Sequence, residues 1–215
     1  MSRLSEKNVT KPTKAKGAKR GEARQLVLEE ALMQFSSIGF EGVSTRRLAE
    51  ACNVNHSLIT YHFGNKLGLW QAVMTEVFHT YRNRVSARLE GLDGLEPDVA
   101  LKIGFRDFAT LCSQRPEIHR IMTIEGRRRT ERLEWLVEHH LKDFYDSSKA
   151  LILEGQKRGT VKSGEPGRLY YAVIALAGTA FAFAPEIELV TGKQASPEQD
   201  IEATMTLINR IIFAD

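Results

Sequence analysis

Two helix-start signals stand eleven residues apart in this chain, and that spacing leaves few folds open. Ser44 is a good N-cap, with Val43 before it and Leu48 four residues beyond, the arrangement of a hydrophobic staple. Asn55 repeats the signal, flanked by Val54 and Ile59 at the same interval. Between them, Asn53 suits the left-handed residue that closes a helix. Two short helices joined by so tight a turn read as a helix-turn-helix.

The helical period extends through the rest of the chain. Leu28, Ala31, Leu32 and Phe35 recur at i, i+3, i+4 and i+7, so a first helix presents one apolar stripe and ends at Gly39. Leu48, Ala51, Val54, Ile59 and Phe63 are the natural facing residues, which makes a three-helix unit. Trp70, Val73, Met74, Val77, Phe78, Tyr81 and Val85 keep the period from Lys66 to Leu89, a helix of roughly 35 Å at 1.5 Å per residue. That length carries it out of the small unit into a second one.

Glycine and proline punctuate the chain beyond Leu89. Residues 91–94 break it, Pro97 opens a fifth helix, and Pro116 opens a sixth that stops near Gly126. Arg127, Arg128 and Arg129 mark a charged loop or helix end. Leu133, Leu136, Val137, Leu141, Phe144, Tyr145, Ala150 and Leu151 then predict one long amphipathic helix to about Gly159. An apolar helix over 167–184 is interrupted by Pro185, and a last helix after Pro197 uses Ile201, Met205, Ile208, Ile211 and Ile212. Period-two alternation is missing, so the fold class is all-α.

Composition narrows the function classes. The 215 residues hold two isolated cysteines, Cys52 and Cys112, with no CxxC or Cys/His metal spacing, which suits a reducing cytosol. The most apolar run, 169–184, is sixteen residues, short of the roughly 18 a membrane helix needs, so no membrane association is expected. No phosphate loop, nucleophile elbow or HExxH pair is present; the chain reads as a non-enzyme without a cofactor or metal. Residues 1–66 carry eleven Lys/Arg against six Glu, whereas 67–215 carry nineteen against twenty-one Asp/Glu. The basic part is the part with the motif. Residues 1–21 read as a disordered basic tail, either simply solvated or an arm touching phosphate or a minor groove.

Over residues 24–70 the chain resembles the DNA-binding domain of TetR-family transcriptional regulators. Arg24, Phe35, Gly39-Phe40, Leu48-Ala49, Val54, Tyr61-His62-Phe63, Lys66, Leu69 and Trp70 carry the resemblance. Ser57-Leu58-Ile59-Thr60 stands where many members have Gly-Thr-Leu-Tyr or Gly-Leu-Ile-Tyr, so the aromatic often found at position 60 is absent. The resemblance implies an N-terminal three-helix helix-turn-helix domain at 22–66, then a helical ligand-binding and dimerisation domain at 67–215. It further implies a homodimer reading a palindromic operator in double-stranded DNA, most simply a cytoplasmic repressor released by a small-molecule effector. An activator of the same fold, a constitutive or architectural DNA-binding dimer, and a polybasic peripheral membrane protein are the alternatives.

Helix geometry distributes the DNA-facing roles. With Ile59 and Phe63 on the packed side, Asn55, His56, Ser57, Thr60 and Tyr61 occupy the opposite arc and meet the major groove. Leu58 faces either the groove or the packing side. Thr45, Arg46, Tyr61, His62 and Lys66 read as backbone clamps, with Lys66 matching the family's lysine; for His62 packing is an equal alternative, and Arg46 reads equally as solvated. In the second domain, Arg106, His119, Glu125, Trp135, His139, Tyr170 and Phe181 are a candidate effector set, with ordinary core or surface roles as the simpler reading of each. Leu169, Val173, Ala177, Ala180, Phe181, Ile201, Met205, Ile208 and Ile212 are the expected dimer interface, because the resemblance pairs the last two long helices with their copies.

Overall fold

The stripe on the first helix, the two short helices and the long helix after Lys66 meet in one hydrophobic core. In the computed structural model, residues 20–90, 94–194 and 196–214 are described. The basic tail lies outside them except for residues 20 and 21, with which α1 (Arg20–Gly42) begins. Helices α2 (Thr45–Ala51), α3 (His56–Phe63) and α4 (Lys66–Leu89) complete the N-terminal unit. The second unit holds α5 (Pro97–Gln114), α6 (Pro116–Glu125), α7 (Glu131–Leu136), α8 (Lys142–Arg158), α9 (Pro166–Ala182), α10 (Ala184–Thr191) and α11 (Pro197–Ile212). Among the described residues the only strand-like pairing is an isolated antiparallel bridge, Val161 to Phe213.

Val27, Leu28, Ala31, Phe35, Leu48, Ile59 and Trp70 are almost wholly buried together, and each of the larger aliphatic or Phe side chains among them contributes about 1.5–3 kcal/mol. Ala51, expected to face this core, is exposed; Ala49 takes its place, because α2 packs one notch round from the anticipated phase. The core does not stop at the 66/67 boundary drawn from the sequence. Met74 and Phe78 of α4, Ile121 of α6 and Leu136 of α7 belong to it, so α4 is a shared beam rather than a linker. A second core, with Leu101, Phe105, Ile152, Val173, Ala177, Ile208 and Ile212, joins α5, α8, α9 and α11.

The long helix expected from Leu133 to Gly159 contains a π-helical turn, Val137–Leu141, between α7 and α8. One extra residue in a turn rotates every later side chain. Ala150, counted on the apolar stripe, is therefore exposed while Ile152 is buried; within the turn itself Val137 is exposed and His140 buried. The helix expected to end at Pro185 instead turns by 74° into α10, since proline fits the first turn of a new helix. No single described helix is long and apolar enough to cross a membrane; α9 and α10 together reach that length and apolarity only as a bent pair.

Candidate nucleic-acid interface

Local chemistry sets the geometry of α2 and α3. Asn53 adopts φ 52°, the left-handed closure its side chain tolerates. Asn55 caps α3, its Oδ1 accepting from the Ser57 backbone N–H at 2.9 Å and from Ser57 Oγ at 2.8 Å. Ser44 occupies the N-cap of α2 without a side-chain hydrogen bond. Thr45 Oγ1 lies 3.0 Å from His56 Nε2, which joins the first residue of α2 to the first residue of α3.

Of the residues assigned to DNA, Arg46, Asn55, Ser57, Thr60 and Tyr61 are exposed, while Thr45 and His56 are half-buried. Leu58 is half-buried and Ile59 and Phe63 are buried, so α3 stands on its apolar side. Three assignments change. His56 has one ring nitrogen engaged by Thr45, leaving only Nδ1 for a base edge. His62 has its Nε2 buried without a hydrogen-bond partner and its ring against Tyr61, centroids 5.1 Å apart, so that nitrogen is packed rather than a phosphate clamp. Lys66 donates to the Phe40 and Glu41 carbonyls at 3.0 and 3.3 Å and lies 4.6 Å from the Phe40 ring centroid; it first ties the end of α1 to the start of α4.

Two residues were given no role in the site from the sequence. Arg24 places its guanidinium 5.7 Å from the centre of the Phe63 ring, bracing α1 on the end of α3. It precedes Val27 and Leu28 by three and four residues, so its position on the apolar stripe was the available signal. Gly68 has no room for a side chain: a Cβ there would lie 2.1 Å from the Phe63 carbonyl oxygen. A glycine in the first turn of a long helix marks that close approach.

The candidate effector residues do not converge. Arg106 makes a paired salt bridge to Glu202 of α11, at 2.6 and 2.9 Å. Glu125 is buried, and both its oxygens accept from Arg132 Nε at 3.1 Å rather than meeting Arg127, Arg128 or Arg129. Trp135 packs on Trp70, centroids 5.9 Å apart, and the exposed His139 stacks on Trp135. His119, half-buried, lies against Gly178, and burial lowers its pKa. Tyr170 meets Tyr145 edge-on, and Phe181 is buried. A cavity of about 100 Å³ exists elsewhere, between α1, α4, α5 and α6, lined by Leu28, Val73, Val77, Leu111 and Ile118 together with Glu29 and Arg115. The Arg115 guanidinium pairs with the Glu29 carboxylate across that junction and holds its pKa below the usual range.

The dimer assignment also shifts face. Val173, Ala177, Phe181, Met205, Ile208 and Ile212 are buried inside the chain itself, and Leu169, Ala180 and Ile201 are half-buried. A helix apolar all round offers two sides, and these residues took the inner one. Tyr171, Leu207 and Ile211 remain 65%, 48% and 44% exposed on the outer sides of α9 and α11. The second unit also buries the Asp107 carboxylate completely. Arg88 Nε sits 3.0 Å from Oδ1 but off the hydrogen-bonding axis, so the attraction is coulombic and burial still raises the carboxyl's pKa.

A short helix presented from a tight turn, and braced by a beam that enters a second helical core, defines a helix-turn-helix regulator. Residues 27–73 match the family described as bacterial regulatory proteins, tetR family, and residues 85–215 match the YcdC-like protein, C-terminal region. The chain belongs to the TetR family of bacterial transcriptional regulators. It is similar to the HTH-type transcriptional regulator RutR of Escherichia coli strain K12, 26% identical over 213 residues that cover 99% of this chain and 97% of that protein. In fold it is similar to a tetR-family regulatory protein from Rhodococcus RHA1, with TM-score 0.72, 17% identity, and 90% and 99% of the two chains covered. It is likewise similar to AibR in complex with isovaleryl coenzyme A and operator DNA, with TM-score 0.70, 18% identity, and 88% and 98% covered.

Proposed function

We propose that this protein is a cytoplasmic homodimeric repressor that grips a palindromic operator through α3 and releases it when a small molecule binds the second unit. The observation that carries this reading is α4: its first residue is tied to the end of α1, and its middle belongs to a core that also holds α6 and α7. Any repacking of the second unit that tilts α4 moves α3. An effector favouring the tilted state would weaken DNA binding by a coupling of about 1–3 kcal/mol, and DNA would weaken effector binding equally.

Dimerisation supplies the second recognition helix, since a single α3 reads only a few base pairs. The outer sides of α9 and α11, with Tyr171, Leu207 and Ile211, are the self-complementary surface for it. AibR, solved with an acyl-coenzyme A and operator DNA, supports a ligand-responsive output. The smallness of the cavity at the α1–α4–α5–α6 junction favours the second reading, a constitutive DNA-binding dimer, because drug-sized ligands occupy roughly 300–1,000 Å³.

Selection of bound duplexes from a random double-stranded pool tests the first part. Enrichment of a palindrome is expected; salt-sensitive binding without enrichment would sink the operator reading. A metabolite screen on the selected duplex then separates the two outputs, release by one compound supporting the sensor and indifference to all supporting the constitutive dimer.

A further inference from the structure

The segment from α7 into α8 runs alongside α4 in the same direction. Trp135 meets Trp70 at 5.9 Å, His140 stacks on Phe78 at 5.1 Å, Asp143 pairs with Arg82 at 3.6 Å, and Phe144 meets Tyr81 at 5.0 Å. The two start level with one another. Arg132, at the beginning of α7, sits 4.1 Å from the Phe40 ring centroid, the ring that Lys66 at the beginning of α4 also covers. Arg132 also reaches Glu41 at 3.5 Å. Thr45 is four steps along the chain from Glu41, a reach of at most about 14 Å. The loop at 126–130, just before α7, is therefore at the helix-turn-helix end of the second unit.

That loop is where Arg127, Arg128 and Arg129 lie, all exposed. The neighbouring acids are mostly committed: Glu125 and Glu41 face Arg132, and Glu134 pairs with Arg129 at 2.6 Å, leaving the exposed Glu131. Among the described residues, the guanidinium groups of Arg127 and Arg128 have no hydrogen bond, ion pair or ring contact. Basic residues after α6 offset its C-terminal dipole, but one charge serves that purpose. Two uncommitted guanidiniums beside a DNA-reading motif are matched to phosphate oxygens, which accept their paired N–H donors.

We propose that Arg127 and Arg128 hold backbone phosphates that flank the half-site read by α3, just beyond the palindrome's edge, so that the second unit is itself part of the DNA interface. This rests on the reading that α3 engages DNA. Such contacts fix position and add affinity without reading bases.

The test uses the full-length protein and its selected palindrome, on one duplex cut at the palindrome's edges and another extended by about one helical turn on each side. Wild type, R127A/R128A and R127K/R128K are compared across a salt series. Each phosphate contact contributes about 0.9 to the slope of log affinity against log salt, so the alanine pair should lower the slope on the long duplex by about 3–4 per dimer and the affinity at least about tenfold. The lysine pair should retain most of both. On the short duplex all three proteins should converge. Unchanged slope on the long duplex, or equal loss on both lengths, would overturn the inference. Failure of wild type to select any palindrome would remove the underlying DNA reading as well, whereas a palindrome bound alike by wild type and alanine pair would remove this inference alone. An unchanged unfolding midpoint and dimer mass establish that the alanine pair is folded.

Discussion

Thr45 and His56, eleven residues apart in the chain, meet through a 3.0 Å hydrogen bond that joins the starts of α2 and α3. The contact explains how a recognition helix of eight residues keeps its angle. Its cap and this bond hold its N-terminal end, and Ile59 and Phe63 hold its inner side.

Thr45→Val keeps the shape and removes the hydroxyl, so His56 loses its partner while α2 stays intact. One net hydrogen bond is worth about 1 kcal/mol, and operator affinity should fall about fivefold, with relaxed base preference. Binding to the selected palindrome and its single-base variants measures both. Unaltered affinity and preference would show that the bond does not orient α3.

At Gly68, alanine would ordinarily gain about 1 kcal/mol of helix propensity. Here its Cβ meets the Phe63 carbonyl oxygen at 2.1 Å, and backbone cannot rotate away. Overpacking costs of about 1–3 kcal/mol should win, so Gly68→Ala should unfold at lower urea than wild type and bind DNA more weakly. A stabilised variant would contradict the packing described.

Asp107 is buried with a raised carboxyl pKa, caused first by burial and opposed by Arg88 and Arg84. A raised acid pKa favours the folded state while the group is protonated and costs stability as pH rises from the unfolded value through the folded one. Asp107→Asn removes that cost, and Arg88, about half exposed, stays solvated. The variant should melt higher than wild type at neutral pH, on the order of a few degrees, and match it in acid. A lower midpoint at neutral pH would mean that the Arg88 pair outweighs burial.

Ile211→Glu tests the outer faces of α9 and α11. A two-fold axis would bring each glutamate towards its copy in an apolar contact, and a central interface residue is worth about 2 kcal/mol or more. Light scattering should report the single chain mass of 24.2 kDa where wild type reports twice that. A dimeric variant would place the interface elsewhere.

Much of the helical layout was written locally. The cap at Asn55, the helix start at Pro97, the positive φ of Asn53 and the span of α4 depend on residues close in sequence, and periodicity exposes them without knowledge of neighbours. The π turn at Val137–Leu141 was hidden because an inserted residue leaves composition unchanged and shifts only register. The scattering of Arg106, Glu125 and Trp135 was hidden for another reason: their partners Glu202, Arg132 and Trp70 stand on other helices.

An all-helical chain with a helix-turn-helix ahead of a longer helical part follows from local signals alone, because caps, breakers and period act within a few residues. Tertiary packing, by contrast, set which side of each amphipathic helix became core. Val173 and Ile208 went inward while Tyr171 and Ile211 stayed outside, a choice made by the helices packed around them. It also decided that Lys66 ties α1 to α4 and that Arg127 and Arg128 stand at the DNA-reading end, since both depend on contacts between segments far apart in the chain.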